Sequence, residues 1–186
     1  MLGDTNIVPT VTRRLLHAGA KFDFEALTVT DPSGRSITRE CVRHPGAVVV
    51  VPVLGSRIDP RIVLIQNWRA SVETTLWELP AGTLEPHEEP AACAARELIE
   101  ETGFQAATLT PLGRFHTSPG LSDELMWAFS ATGLTPVGQH LEADERITVH
   151  PTPIGRVFEM IRQGILMDAK SMLALFMARD AGVLHA

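Results

Sequence analysis

Residues Gly82 to Phe104, GTLEPHEEPAACAARELIEETGF, constrain this chain more than any other stretch. Pro90 suits the first turn of a helix, where its missing N–H costs nothing. Ala91 to Thr102 are mostly strong helix formers, and Gly103 stands where helices commonly end on a left-handed glycine. The pattern predicts a helix that opens at Pro90 and closes at Thr102. Ahead of it, Gly82-Thr83-Leu84-Glu85 reads as a turn that follows a strand ending at Leu79-Pro80-Ala81. Near the end of the helix, Glu97 and Glu101 share a face, with Glu100 between them at i+3. Like charges so placed repel, and they lie at the end of the helix dipole that disfavours negative charge. A cluster that breaks two local rules points to a function that needs it. Hard divalent cations such as Mg²⁺ bind through one or two carboxylates plus substrate phosphates. The alternative is a solvated acidic face, the usual fate of a charge run.

The remainder of the chain narrows the setting. Its 186 residues suffice for one domain with a sizeable core, or one domain with an appended arm. With 45% hydrophobic and 20% charged residues, the composition is that of an ordinary globular protein. A net charge of −6 argues against an extended nucleic-acid footprint, which needs a basic patch. It leaves room for a small anionic substrate, because a bound metal reverses the local charge. Cys41 and Cys93 are far apart and lack C-x-x-C spacing. Two buried free thiols in a reducing compartment fit them better than a disulfide. No signal peptide is evident, and no apolar run approaches the roughly 18 residues that span a membrane. These features predict a cytoplasmic protein with no membrane partner.

Taken in order, Met1 to about Ala20 are weakly patterned. Lys21–Thr30 and Ser36–Val42 read as two strands joined at Asp31-Pro32-Ser33-Gly34, a type I turn sequence. By itself this hairpin would form an edge of the main sheet. Ala47–Leu54 is a continuous apolar run, as in a strand buried on both faces. Pro52 within it calls for a bulge or an unpaired position. Further strands are expected at Arg61–Trp68, Thr108–His116, Glu124–Thr132 and Arg146–His150, with Gly133–Glu145 a polar loop. A helix from Thr152 to Gly164 carries Ile154, Val157, Phe158 and Ile161 at helical spacing. A last helix, Ala169–Ala181, presents Met172, Leu173, Phe176 and Met177 on a similar stripe. Both stripes read as core. Without repeats or linkers, residues 1–186 read as one α/β domain, a mixed β-sheet sandwiched between α-helices, with residues 1–43 as an N-terminal β-hairpin arm.

The central stretch resembles the signature of the Nudix hydrolases: Gly82, Glu88, Arg96-Glu97, aliphatic Leu98, Glu100-Glu101, Gly103 and apolar Phe104, each at the required interval. Seven fixed positions at roughly 7% usage each match by chance about once in 10⁸ windows. The resemblance implies the Nudix fold and hydrolysis of a diphosphate linkage with Mg²⁺, for which Mn²⁺ can substitute. By position, Glu97 and Glu101 would be the principal metal ligands, Glu100 a third, shared and catalytic one, and the Ala81 carbonyl a further one. Arg96 would orient a carboxylate, Glu85 or Glu88. Gly82 would permit the tight turn and a close approach of backbone to substrate.

A second segment narrows the substrate. His116-Thr117-Ser118-Pro119-Gly120-Leu121-Ser122-Asp123-Glu124 is similar to the corresponding loop of the ADP-ribose pyrophosphatase subgroup. That implies a nucleoside diphosphate sugar as partner, with AMP and ribose 5-phosphate as products, and substrate contacts from Pro119 and Glu124. An arginine matching Arg69 would contact phosphate, and Glu142, on the loop before Arg146-Ile147-Thr148-Val149-His150, would act as general base ahead of Asp144 and Glu145. The N-terminal arm would pack across a homodimer interface. Other nucleoside diphosphate sugars, such as GDP-mannose or ADP-glucose, or a silent ADP-ribose sensor, are the alternatives. No H-E-x-x-H pair, G-x-S-x-G elbow or P-loop is present.

Overall fold

The most buried strand, Ala47–Leu54, has helices on both of its faces. In this computed structural model, which describes residues 8–56, 58–141 and 146–184, Ala47 through Pro52 are all buried. The strands are β1 (Thr10–Ala18), β2 (Asp23–Thr30), β3 (Ser36–Arg43), β4 (Ala47–Leu54), β5 (Arg61–Arg69), β6 (Thr74–Glu78), β7 (Ala81–Thr83), β8 (Phe104–Gln105), β9 (Thr108–His116), β10 (Leu125–Thr132), β11 (Thr135–Pro136) and β12 (Ile147–Pro153). The helices are α1 (Pro90–Thr102), α2 (Ile154–Arg162) and α3 (Ala169–Asp180). Among the described residues, no helix is long and apolar enough to cross a membrane.

The chain forms two compact units, one containing the segment up to Pro45 with His116–Glu124, the other Gly46–Phe115 with the segment from Leu125 onward. In the first, β1, β2 and β3 form their own antiparallel sheet, so the expected hairpin is a three-stranded sheet and not an edge of the main one. Strand β1 escapes sequence reading because all nine of its residues are exposed. Alternating hydrophobicity reports one-sided burial, and β1 has none. The β2–β3 turn closes as expected, with Gly34 N–H donating to the Asp31 carbonyl at 2.9 Å.

In the second unit the sheet runs β12-β5-β4-β10-β9, with β6 paired to β5 and β7 to β4. Strands β4 and β10 are parallel, and β4 with β5 antiparallel, so the sheet is mixed. Period-2 alternation splits β4 between two cores. Val48 and Val50 pack with Cys93, Ala94 and Leu98 of α1. Ala47, Val49 and Val51 pack with Val157 and Phe158 of α2 and Ala174, Leu175 and Ala178 of α3. Each fully buried valine contributes on the order of 2 kcal/mol. Pro52 makes no bulge against β10, where its register with Ala131 is continuous. On the other edge it falls where β4 passes from β7 to β5. Val50 N–H points that way, to the Pro80 carbonyl at 2.9 Å. Two residues further on, a proline sits where no ladder donor is needed.

Several boundaries and one helix face depart from the sequence reading. Gly82 lies in β7 opposite Val48, and the turn falls later, where Glu88 N–H reaches the Glu85 carbonyl at 3.0 Å. The strand at β12 extends through Pro153, so α2 starts at Ile154 and not at Thr152. The buried face of α3 is Ser171, Ala174, Leu175 and Ala178, whereas Leu173 and Phe176 are exposed. Met172 and Met177 pack at the margin of that core. The α2 stripe is buried at Ile154, Val157 and Phe158, with Ile161 against the core edge.

Candidate active site

The helix α1 spans Pro90–Thr102, with Pro at its start and Gly103 in the left-handed region at φ 72°, donating to the Ile99 carbonyl at 2.8 Å. Its buried face comprises Cys93, Ala94, Glu97, Leu98, Glu101 and Thr102, an unbroken i, i+1, i+4, i+5, i+8, i+9 stripe. The acids therefore belong to the packed face. Glu97 is only 8% exposed and Glu101 only 2%, which excludes a solvated acidic face. Ionised carboxylates are kept at such depth only when paired or hydrogen-bonded.

Their partners come from two directions. Ala81 N–H donates to Glu101 Oε2 at 2.7 Å. Arg96 donates from Nη1 to Glu97 Oε1 at 2.7 Å and to Glu100 Oε2 at 2.9 Å. Its Nε and Nη2 grip the two oxygens of Glu88, each at 2.9 Å. Of the two acids considered for Arg96, Glu88 is the one it holds, and Glu88 also accepts the Glu85 N–H at 3.0 Å. One guanidinium thus bridges three carboxylates, which offsets the repulsion evident in the sequence. At Gly82, a Cβ would overlap the Glu97 carboxylate. The glycine is required here for close approach of strand to helix, in extended backbone and not in a turn.

The oxygen-only donor set of Glu97, Glu100, Glu101 and the Ala81 carbonyl, brought together where Gly82 lets the strand approach Glu97, has the chemistry a hard divalent cation prefers. Among the described residues, no three acidic, histidine or cysteine side chains already stand in ligand geometry. As found, the acids are turned to Arg96 and to the Ala81 N–H.

Hydrogen bonds from Arg96 hold the Glu88 carboxyl well below its ordinary 4.5, at about 2. A carboxyl with a lower pKa folded than unfolded stabilises the fold above the ordinary value, and that stabilisation is lost as pH falls toward the folded value. The thermal midpoint should therefore drop as pH falls from about 4.5 to about 2, and Glu88→Gln should flatten that part of the profile. Melting curves across the window test this; superimposable wild-type and variant profiles would refute it.

Arg69 lies at the end of β5 and is not a solvated loop arginine. Its Nε and Nη2 hold the carboxylate of Glu78 at 2.7 and 2.5 Å. Glu78 is 1% exposed and also receives Lys170 Nζ at 2.6 Å. Burial pushes the Glu78 carboxyl up, but the bonds and charges of Arg69 and Lys170 outweigh it, leaving it below the ordinary carboxylate value. Neither Glu78 nor Lys170 is legible in the sequence. A buried acid in a mixed strand has no periodic signature, and its partner lies 92 residues away. Cys41 and Cys93 are buried free thiols, and burial raises the Cys93 pKa.

Pro119 and Glu124 belong to the other unit. The loop is closed by Leu121 and Ser122 N–H groups on the Ser118 carbonyl, both at 2.9 Å, and bridged to β3 at Val42. Asp123 pairs with Arg43 and accepts His44 N–H at 2.9 Å. Glu124 accepts from Thr117 and lies 3.4 Å from His44 Nε2. Burial holds His44 below the ordinary imidazole value against the pull of Glu124 and Asp123, and its ring stacks on Phe22 at 4.6 Å. Pro119 lines a cavity of about 320 Å³ with Arg39, Glu40 and Cys41. Glu142, with Asp144 and Glu145, lies outside the described residues.

A glutamate-lined helix docked on a glycine strand, within a mixed sheet covered on both faces, defines the class. Residues 43–148 match the NUDIX domain, and the chain belongs to that family. An ADP-ribose pyrophosphatase from Bacillus subtilis is 34% identical over 168 residues, covering 89% of each chain. One from Mycobacterium tuberculosis is 38% identical over 165 residues, 86% of this chain and 77% of its own. The solved structure of an ADP compounds hydrolase superposes with a TM-score of 0.81 at 23% identity, over 93% of each chain, a likeness of fold.

Proposed function

We propose that this chain hydrolyses the diphosphate linkage of ADP-ribose, adding water across the P–O–P bridge to yield AMP and ribose 5-phosphate. The observation that carries the chemistry is the pair of buried carboxylates, Glu97 and Glu101, held against Ala81 and Gly82. The similarity to two ADP-ribose pyrophosphatases over most of the chain supports the substrate.

In this reading Glu97, Glu101, Glu100 and the Ala81 carbonyl hold Mg²⁺, with Mn²⁺ as a substitute. Bound there, the cation neutralises the phosphate oxygens and orients the linkage for in-line attack. Arg96 holds Glu97 and Glu100 in place through Nη1 while its other edge is anchored on Glu88. Arg69 offers charge to a substrate phosphate, Pro119 and Glu124 supply the sugar side, and Glu142 takes the proton of the attacking water. The protein acts in the cytoplasm as a homodimer. The exposed Val11, Leu15 and Leu16 on the edge strand β1 support an interface there.

The test is hydrolysis with Mg²⁺ across ADP-ribose, ADP-glucose, GDP-mannose, NADH and a nucleoside triphosphate, with products identified. Preference for ADP-ribose with release of AMP is expected. Preference for another sugar nucleotide keeps the chemistry and overturns the substrate. Binding of ADP-ribose without turnover on any of them identifies a sensor.

A further inference from the structure

The four residues that lead into the signature are each tied by a defined partner, and two of those partners come from α3. The Glu78 side chain is held by Arg69 and by Lys170 Nζ at 2.6 Å. The Leu79 N–H donates to Ser171 Oγ at 2.7 Å, and Ser171 is fully buried. The Pro80 carbonyl accepts Val50 N–H at 2.9 Å. Ala81 N–H donates to Glu101 at 2.7 Å. Asp168 organises the α3 side: it caps the helix on Ser171 N–H at 3.1 Å, accepts the Ser171 hydroxyl, and pairs with Lys170 at 3.0 Å. The family match ends at residue 148, so this grip comes from a part of the chain beyond it.

A buried charge network is weak evidence for stability, since apolar packing of the same volume often serves as well. What it supplies is geometry. Lys170 and Ser171 bind adjacent side-chain and backbone groups three and two residues before Ala81, whose N–H holds Glu101.

We propose that the first turn of α3 is a positioning clamp for the metal-binding segment. Lys170 and Ser171 fix Glu78 and Leu79, and thereby hold the Ala81 backbone against the Glu101 carboxylate, the two groups read above as cation ligands. Neither residue touches substrate. The inference rests on the reading of Ala81 and Glu101 as metal ligands.

The experiment uses Lys170→Met, Ser171→Ala, Lys170→Arg and Glu101→Gln in the full chain. Mn²⁺ binding is measured by electron paramagnetic resonance without substrate, alongside Mg²⁺-dependent kcat and KM for ADP-ribose and thermal melting. Outer residues that orient metal ligands typically change affinity or activity by about tenfold or more. Lys170→Met and Ser171→Ala should each weaken Mn²⁺ binding and lower kcat by about tenfold, with KM within about twofold and Lys170→Arg largely restored. Weakened binding in Glu101→Gln, with wild-type binding in folded Lys170→Met and Ser171→Ala, overturns the clamp alone. Unchanged binding in Glu101→Gln overturns the ligand assignment and the clamp with it. If Lys170→Met does not fold, the smaller Ser171→Ala change decides, and a loss confined to its melting temperature marks a structural role and overturns the clamp.

Discussion

Glu101→Gln is expected to lower kcat by about three orders of magnitude while leaving the fold intact, and Glu97→Gln by a similar factor. The change removes one negative charge and no volume. Glu101 is 2% exposed, and its Oε2 accepts the Ala81 N–H at 2.7 Å, a bond the amide oxygen of glutamine can still accept. The packing of α1 on β7 should therefore survive. In the proposed function, what is lost is a full charge on a ligand of the divalent cation. Metal stabilisation of a reacting phosphoryl group is worth several kcal/mol, and each 1.36 kcal/mol is tenfold in rate, which gives about 10³. Removing a buried charge from a crowded acidic cluster also lessens repulsion in the protein without metal. Its melting temperature in chelator should be unchanged or raised, while the shift on adding Mg²⁺ shrinks. Steady-state kinetics at saturating Mg²⁺ with paired melts checks both parts. Wild-type turnover in either variant would dismiss these residues as ligands.

Arg96→Met is expected to destabilise the protein by about 2–3 kcal/mol in the absence of divalent cations, and to lower kcat as well. Stripping one partner from a buried ion pair costs about 3–5 kcal/mol. The Arg96 side chain is 25% exposed, so solvent screens part of that. Three carboxylates lose their common partner: Glu88 loses two bonds, Glu97 and Glu100 one each. The Thr83 carbonyl loses a weaker contact at 3.3 Å. On the proposed function, a cation bound beside Glu97 would replace some of the missing positive charge, so Mg²⁺ should stabilise the variant more than the wild type. Lysine is a compact point charge without the planar fork, and Arg96→Lys should recover only a fraction. Urea denaturation with and without Mg²⁺ measures these differences. A variant within about 0.5 kcal/mol of wild type, the range of ordinary surface changes, would show that Arg96 does not hold the cluster together.

The fold was readable wherever the governing physics is local. Pro90 and Gly103 mark both ends of α1 because a fixed φ and a missing Cβ act within a single turn. The apolar run at β4 was readable because burial on both faces leaves no polar position in it. Patterning failed where burial is one-sided in an unexpected sense or absent. Strand β1 has no buried face, and α3 turns Ser171 and Ala174 inward while leaving Leu173 and Phe176 at the surface. Hydrophobicity alone ranks those residues the wrong way round. Ser171 is inside because its hydroxyl has two hydrogen-bond partners there.

For the site, the sequence alone determined the acids, their spacing on one face of a helix, and the family, because covalent spacing and helical period follow from residue order. Only the tertiary structure decided that this face is the buried one, that Gly82 is needed so that β7 can approach Glu97, and that Arg96 chooses Glu88. It alone brought Lys170 and Ser171 to the segment before Ala81, across 92 residues of chain. Partner choice among charges depends on which groups lose water together, and that is settled by packing between distant segments, not by any period within one of them.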